Sequence, residues 1–354
     1  MITTYNLARH IFPDDEIIIC SGSPNPDYIV KLLGQPVQIV DDDTDVEAAW
    51  IVHGGGGVFF DFKKGPSRFY GLNRLIRFFG YGSYRKAYRF FRKWRGRRGI
   101  ESRYRVGLGI GVSTYTPSSA KFHQDILFLS DFDFLMVRDH ESLSHVRELG
   151  LKYPLHRGTD IAFLSEYWKP PDVEAKSARG VVGFVLRDWI LDNHVYLDTL
   201  LCVARELSQQ GRVLKFFSLD KRSDSFFIAQ FSKEFSVLTW DPDSMTVSSF
   251  LEEMSACSVM ISSRAHGAIV SACLGIPVVC LGIEPKLAHI AAMLPRGAKL
   301  VDPITAQTVL SAIGQVEGND SLPQYMLQDV RDNHEVMTAA LTIFRDFIRQ
   351  SSRR

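Results

Sequence analysis

No stretch of the 354 residues approaches the roughly 18 consecutive apolar residues that span a membrane. The opening MITTYNLARHIFPDDEIIIC also lacks the uninterrupted apolar stretch of a signal peptide. Charge of one sign is not in excess either: 41 Lys and Arg against 40 Asp and Glu leave a net +1, so there is no global pull toward nucleic acid. Cysteines are few, odd in number and scattered, at 20, 202, 257, 273 and 280, with no CxxC and no Cys/His pair at zinc spacing. A disulfide framework is therefore not expected, and the chain reads as a cytoplasmic protein with reduced thiols. What is present is ordinary globular composition, 45% hydrophobic and 23% charged, on a chain long enough for two domains of roughly 150 residues each. That excludes a disordered tail protein and a small stapled domain.

Short apolar runs bounded by turn residues alternate with longer segments of helical period, as in repeated βα units around parallel sheets. Strands are predicted at 16–20, 36–40, 48–54, 104–110 and 133–139, and again at 181–187, 212–219, 234–240, 257–263 and 276–282. Helices are expected near 190–209, 246–256 and 264–274. Between the halves, SEYWKPPDVEAKSARG (165–180) has the prolines and charged, small-residue composition of a linker. The expectation is two doubly wound, Rossmann-like α/β domains facing each other across a cleft, spanning 1–170 and 176–322. A long helix at 323–351, with Met337, Ala340, Leu341, Phe344 and Ile348 at helical spacing, is expected to pack on a domain face as part of the closing segment 323–354.

Two segments stand out at predicted strand ends. In CSVMISSRAHGAIVSACLGIPVVCLGIEPK (257–286) a buried strand runs into a polar turn and then a helix of small and apolar residues. Ligands in open α/β sheets lie outside the carboxyl ends of the strands, which is where Ser262, Ser263, Arg264 and His266 fall. A helix start with a neighbouring guanidinium is an anion site in outline, although an ordinary βα turn with Arg264 in a salt bridge fits the spacing equally well. In WIVHGGGGVFFDF (50–62) a strand empties into four glycines, more than a tight turn under close helix packing needs, and a ligand-facing loop at Gly55, Gly56 and Gly57 is expected, with Asp61 as a hydroxyl-binding carboxylate or base. The spacing is not that of a dinucleotide fingerprint. Arg187–Asp188 and Arg138–Asp139 each end a predicted strand; capping and pairing are expected for the latter, and a cleft-facing side chain for Arg187.

Residues 61–105 depart from the average: fifteen Lys and Arg against Asp61 and Glu101, a net +13, with twelve aromatics interleaved. Tyr84, Tyr88 and Phe91 recur at helical spacing beside Arg85, Arg89 and Arg92. A membrane-interface helix, a stacking surface for single-stranded nucleic acid and a solvated charged face all fit this pattern.

Taken together, HGGGGVFFD (53–61), GLGIG (107–111), MVRDHESLSHVRELGL (136–151) followed by GTDIAFL (158–164), and SSRAHGAIVSACLGIPVV with the later EPK resemble the polysaccharide pyruvyl transferase family in order and spacing over about residues 48–290. Two features differ from it. An N-x-G-D segment is absent from residues 1–30, and the basic aromatic insert is longer than the family core requires. Both bear on acceptor recognition.

The resemblance implies a GT-B-like fold and transfer of pyruvate from phosphoenolpyruvate onto two hydroxyls of a saccharide as a cyclic ketal, with no metal or other cofactor. It implies that Arg187, Arg264 and His266 serve the donor together with Ser262 and Ser263. His266 would be the general acid, and Asp61 or Asp160 would take the hydroxyl proton. Gly55, Gly56, Gly57, Arg85, Arg89 and Arg92 are expected on the acceptor side, and the +13 segment is expected to bind an anionic inner-membrane surface and a polyprenyl-diphosphate-linked acceptor rather than nucleic acid. A nucleotide-sugar transferase of the same architecture and a non-catalytic binding module are the competing expectations.

Overall fold

A computed structural model describes residues 1–21, 26–41, 44–59, 99–113, 120–173, 180–189 and 195–353. The chain divides into two compact units, one of residues 1–167 with 335–354 and one of residues 168–334. The division falls within the predicted linker. The helix Leu322–Ser351 gives its first turns to the second unit and the rest to the first.

In the first unit, strands β1 (Ile18–Cys20) and β2 (Gln38–Val40) pair in parallel, and β3 (Glu47–Phe59), β4 (Glu101–Val112), β5 (Phe134–Val137) and β6 (Leu155–Arg157) form a four-stranded parallel sheet in sequence order. Helices α1 (Ile2–Ile11), α2 (Pro26–Leu33), α3 (Ala120–Leu129) and α4 (His140–Glu148) accompany them. Strand β5 shows why this stretch of sequence is a buried strand. Its side chains alternate between faces, so Phe134 and Met136 join Leu7, Met337, Leu341 and Phe344 in one cluster, while Leu135 and Val137 join Leu129, Leu143 and Val146 in another. Burying each such side chain stabilises the fold by roughly 1.5–3 kcal/mol.

The tetraglycine corrects an expectation. It is not a loop: Gly54 to Gly57 lie inside β3, with Gly56 opposite Ile110 and Gly57 opposite Gly111. Glycine serves close packing there, since a Cβ on Gly54 would collide with Thr4 of α1 and one on Gly55 would sit 2.8 Å from Ile161 Cγ1. Gly109, in β4, adopts φ +67, a backbone that other residues resist.

The second unit holds a six-stranded parallel sheet. Its strands are β7 (Val181–Val185), β8 (Val213–Ser218), β9 (Val237–Thr239), β10 (Val259–Ser262), β11 (Val278–Leu281) and β12 (Ala298–Val301), in the order β12-β11-β10-β7-β8-β9. This is the doubly wound order in which the chain starts in the middle, builds outward one way, then returns to build the other way. The helices are α5 (Val195–Gln209), α6 (Ser225–Phe231), α7 (Val247–Ser255), α8 (Ala265–Cys273), α9 (Pro285–Met293) and α10 (Ala306–Glu317), with α11 (Leu322–Ser351) entering at the end. Central strands β7, β10 and β11 are buried at every position, which matches their unbroken apolar sequences. Phe184 stacks on Phe216 with ring centroids 4.8 Å apart, tying β7 to β8. Thr246 and Thr305 each start a helix with a reciprocal capping box.

Candidate functional site

The strand order has a switch point between β7 and β10, the two neighbours from which the sheet grows in opposite directions. Ligand crevices in such sheets open at that point, beyond the carboxyl ends of the strands. Arg187 lies two residues beyond β7 and Arg264 two residues beyond β10, and Val185 is in register with Ser262. The sequence separates the two arginines by 77 positions, and the topology places them side by side.

The two strand ends are stitched together by hydrogen bonds. The Arg187 N–H donates to Ser263 Oγ at 2.9 Å, and Ser263 N–H donates to the Val185 carbonyl at 3.0 Å. The Trp189 indole N–H donates to the Ser263 carbonyl at 3.3 Å, and Arg264 Nε donates to the Leu186 carbonyl at 3.3 Å. Ser262 Oγ donates to the Arg264 carbonyl at 2.8 Å and accepts its N–H at 3.2 Å, shaping the turn into α8. Gly267 permits the first turn of α8 to rest on the strands, because a Cβ there would lie 2.6 Å from both Ser262 Oγ and Val185 Cγ1. The N-terminal amides of α8, which carry the positive end of its dipole, therefore start at the switch point. Ser262 and Ser263 are fully buried and hold backbone rather than reaching outward.

The two guanidiniums differ in their surroundings. Arg187 lies over the Trp189 ring, 4.5 Å from its centroid, and its Nε is buried with no hydrogen-bond partner among the described residues. Asp188, adjacent in sequence, does not neutralise it: its two oxygens accept the N–H groups of Phe226 and Phe227 at 2.7 Å each, at the start of α6. Arg264 is paired instead, Nη2 donating to Asp224 Oδ1. Burial pushes the Asp224 carboxyl above its usual range, with Arg264 and the Ser218 hydroxyl pulling the other way. Both Arg264 bonds use the Nε/Nη2 edge, so Nη1 has no protein partner among the described residues. His266 stands exposed on the first turn of α8. Chemically, the arrangement can receive a small anion with more than one acidic group, since planar donor forks match carboxylate and phosphate oxygens.

The remaining expected site residues lie elsewhere. Gly55, Gly56 and Gly57 are in β3 of the first unit. Asp160 is also there, buried at 1% exposure, with Oδ1 accepting the Ala162 N–H at 3.1 Å and Oδ2 3.8 Å from Arg138 Nη1. Its carboxylate is thus held by a short 3₁₀ turn and a buried cation. Asp61, Arg85, Arg89 and Arg92 lie outside the described residues. Sequence reasoning missed Asp224 and Trp189. Trp189 carried a faint signal, two positions beyond Arg187 at a strand end. Asp224 carried none, because its relevance depends on β8 lying next to β7.

Among solved structures, the chain is similar to a proposed UDP-N-acetylglucosamine 2-epimerase from Listeria monocytogenes, at 10% identity and TM-score 0.58, covering 98% of this chain and 94% of that one. It is similar to S. aureus MnaA in complex with UDP, at 8% identity and TM-score 0.55, covering 92% and 87%. A glycosyltransferase from Rickettsia africae matches at 12% identity and TM-score 0.51, covering 98% and 94%. Identities this low speak for the fold alone, and the fold class is that of the GT-B proteins, built from two Rossmann-like units. No curated protein matches the sequence. The family profile described as polysaccharide pyruvyl transferase matches residues 3–285, and the chain belongs to that family.

Proposed function

We propose that the protein transfers pyruvate from phosphoenolpyruvate to a saccharide, forming a ketal across two hydroxyls. The observation that carries this reading is the pair of guanidiniums at the switch point of the second unit, on adjacent strands and beside the start of α8. Phosphoenolpyruvate carries a carboxylate and a phosphate on three carbons, and two arginines with open edges and a helix start suit both groups.

In the proposed chemistry, His266 gives a proton to the methylene carbon, and C2 becomes an oxocarbenium-like centre. One sugar hydroxyl bonds to C2 and loses its proton to a base. The bond from C2 to the phosphate oxygen breaks, phosphate leaves with the electron pair, and a second hydroxyl bonds to C2 and loses its proton. Arg187 and Arg264 hold the donor and stabilise the departing phosphate. Asp61 is the candidate base. Asp160 is the weaker choice, given its cap and its ion pair. Gly55, Gly56 and Gly57 are assigned to the acceptor side with the basic segment.

The basic aromatic segment is read as the contact with an anionic membrane surface and a lipid-diphosphate-linked acceptor at the inner face. No described helix is long and apolar enough to cross a membrane. Changing Arg85, Arg89, Arg92 and Lys93 to Gln should reduce sedimentation with anionic vesicles while folding persists; unchanged sedimentation rejects this part. The reaction itself is tested by phosphate release from phosphoenolpyruvate with nucleotide-linked, lipid-linked and free saccharides, followed by mass spectrometry for the gain of one pyruvate less one water. Binding of UDP-sugars without consumption of phosphoenolpyruvate would overturn it in favour of a glycosyltransferase.

A further inference from the structure

Asp224 opens helix α6, where an acidic side chain ordinarily accepts the first free N–H groups of the helix. It does not do so here. That work is done by Asp188 from the end of β7, through Phe226 and Phe227. The Asp224 carboxylate is fully buried and turned toward the switch point, where Oδ1 accepts from Arg264 Nη2. Oδ2 accepts from Ser218 Oγ at 2.8 Å and from the Asp220 N–H at 3.3 Å. A buried ion pair is a poor stabiliser compared with apolar packing, so its presence asks for another reason.

We infer that Asp224 is a positioning residue for the donor: held by Ser218 and the backbone at 220, it fixes the Nε/Nη2 edge of Arg264 together with the Leu186 carbonyl, so that the Nη1 side faces the crevice in a set orientation. The inference rests on the reading of this site as the phosphoenolpyruvate site. Arg264 is then preorganised, and the donor meets one rigid guanidinium and, in Arg187, one supported only by a ring face.

The test measures phosphoenolpyruvate binding to the full chain by calorimetry for the wild type, D224N, R264A and the double variant. D224N should raise Kd by about 10- to 100-fold at unchanged stoichiometry, the scale of a misplaced binding group. In the R264A background the same change should add less than about twofold, because Asp224 acts through Arg264. A merely structural role would lower the binding-competent fraction and add its effect fully in R264A, and that result overturns the inference. So does wild-type affinity in D224N. S218A, a milder change, should raise Kd by about 2- to 10-fold and lose that effect in R264A, which keeps the inference testable if D224N does not fold. A wild type that does not bind phosphoenolpyruvate overturns the functional reading and the donor role with it. Binding by the wild type with no response in D224N and S218A overturns the positioning role alone.

Discussion

The dipeptide Arg-Asp ends a buried parallel strand in both units, at 138–139 after β5 and at 187–188 after β7, and the two copies end in opposite states. In the first unit Asp139 caps the helix that follows directly, accepting the Ser142 N–H at 2.7 Å, and pairs with Arg138 Nε at 3.0 Å. Arg138 is buried at 5% exposure beneath Gly111, with Asp160 on its other side. In the second unit Asp188 caps a helix 38 residues away, and Arg187 is left over the face of Trp189 with a buried Nε unmet among the described residues. The difference teaches that the motif does not decide the role of the arginine. The two copies differ in where their carboxylates go: in the first unit Asp139 and Asp160 close on the guanidinium, and in the second Asp188 is occupied by the start of α6.

The largest expected effect falls on the closed copy. R138A leaves the buried Asp160 and the partly buried Asp139 without their cation, and chemical denaturation should show a loss of about 3–5 kcal/mol. A loss below 1 kcal/mol would show that the first cluster is not a stability element. Next is the open copy. R187A should reduce phosphate release from phosphoenolpyruvate by about 10²- to 10³-fold while leaving the denaturation midpoint nearly unchanged. If it unfolds the protein instead, the contrast between the copies collapses.

A smaller effect comes from His53, whose ring packs against Phe128 and Phe132 at 4.9 and 5.3 Å. Burial, reinforced by Arg105, lowers its pKa to about 4, so the unfolded chain takes up a proton that the folded chain refuses. Its stability contribution is therefore complete above pH 6.5 and is lost as pH falls toward 4, amounting to about 2 kcal/mol at pH 5. Urea titrations at pH 7 and 5 should show this loss in the wild type and not in H53F. The smallest effect sharpens the comparison most. D188N should lower stability by about 1 kcal/mol through the weakened cap of α6 and leave donor affinity within about twofold. A strong rise in anion affinity would mean that Asp188 neutralises Arg187 after all.

The buried strands were legible because parallel strands covered on both faces read as unbroken apolar runs, as in Val181–Val185 and Val278–Leu281. Strands β6 and β12 escaped notice because they are short and carry His156 and Arg157, or the exposed Lys299 and Leu300. The glycine run in β3 misled for a definite reason: without side chains a strand interior looks like a turn, and only the positions of Thr4 and Ile161 show what the missing Cβ atoms make room for. At the candidate site the residues at strand ends, Arg187 and Arg264, could be read from the chain. Asp224 could not, since no local pattern reports which loop a distant strand brings alongside.

The order of the second sheet also sets a timetable. Strand β7 is the first of its sheet to be synthesised, yet one of its flanks stays bare until β10 emerges more than seventy residues later. A chain ending before Val259 carries Arg187 but neither β10 nor Arg264, so it lacks the strand that places the second guanidinium beside the first. The pairing of the two guanidiniums is thus a late product of synthesis, complete only when the second half of the sheet has been added to the first.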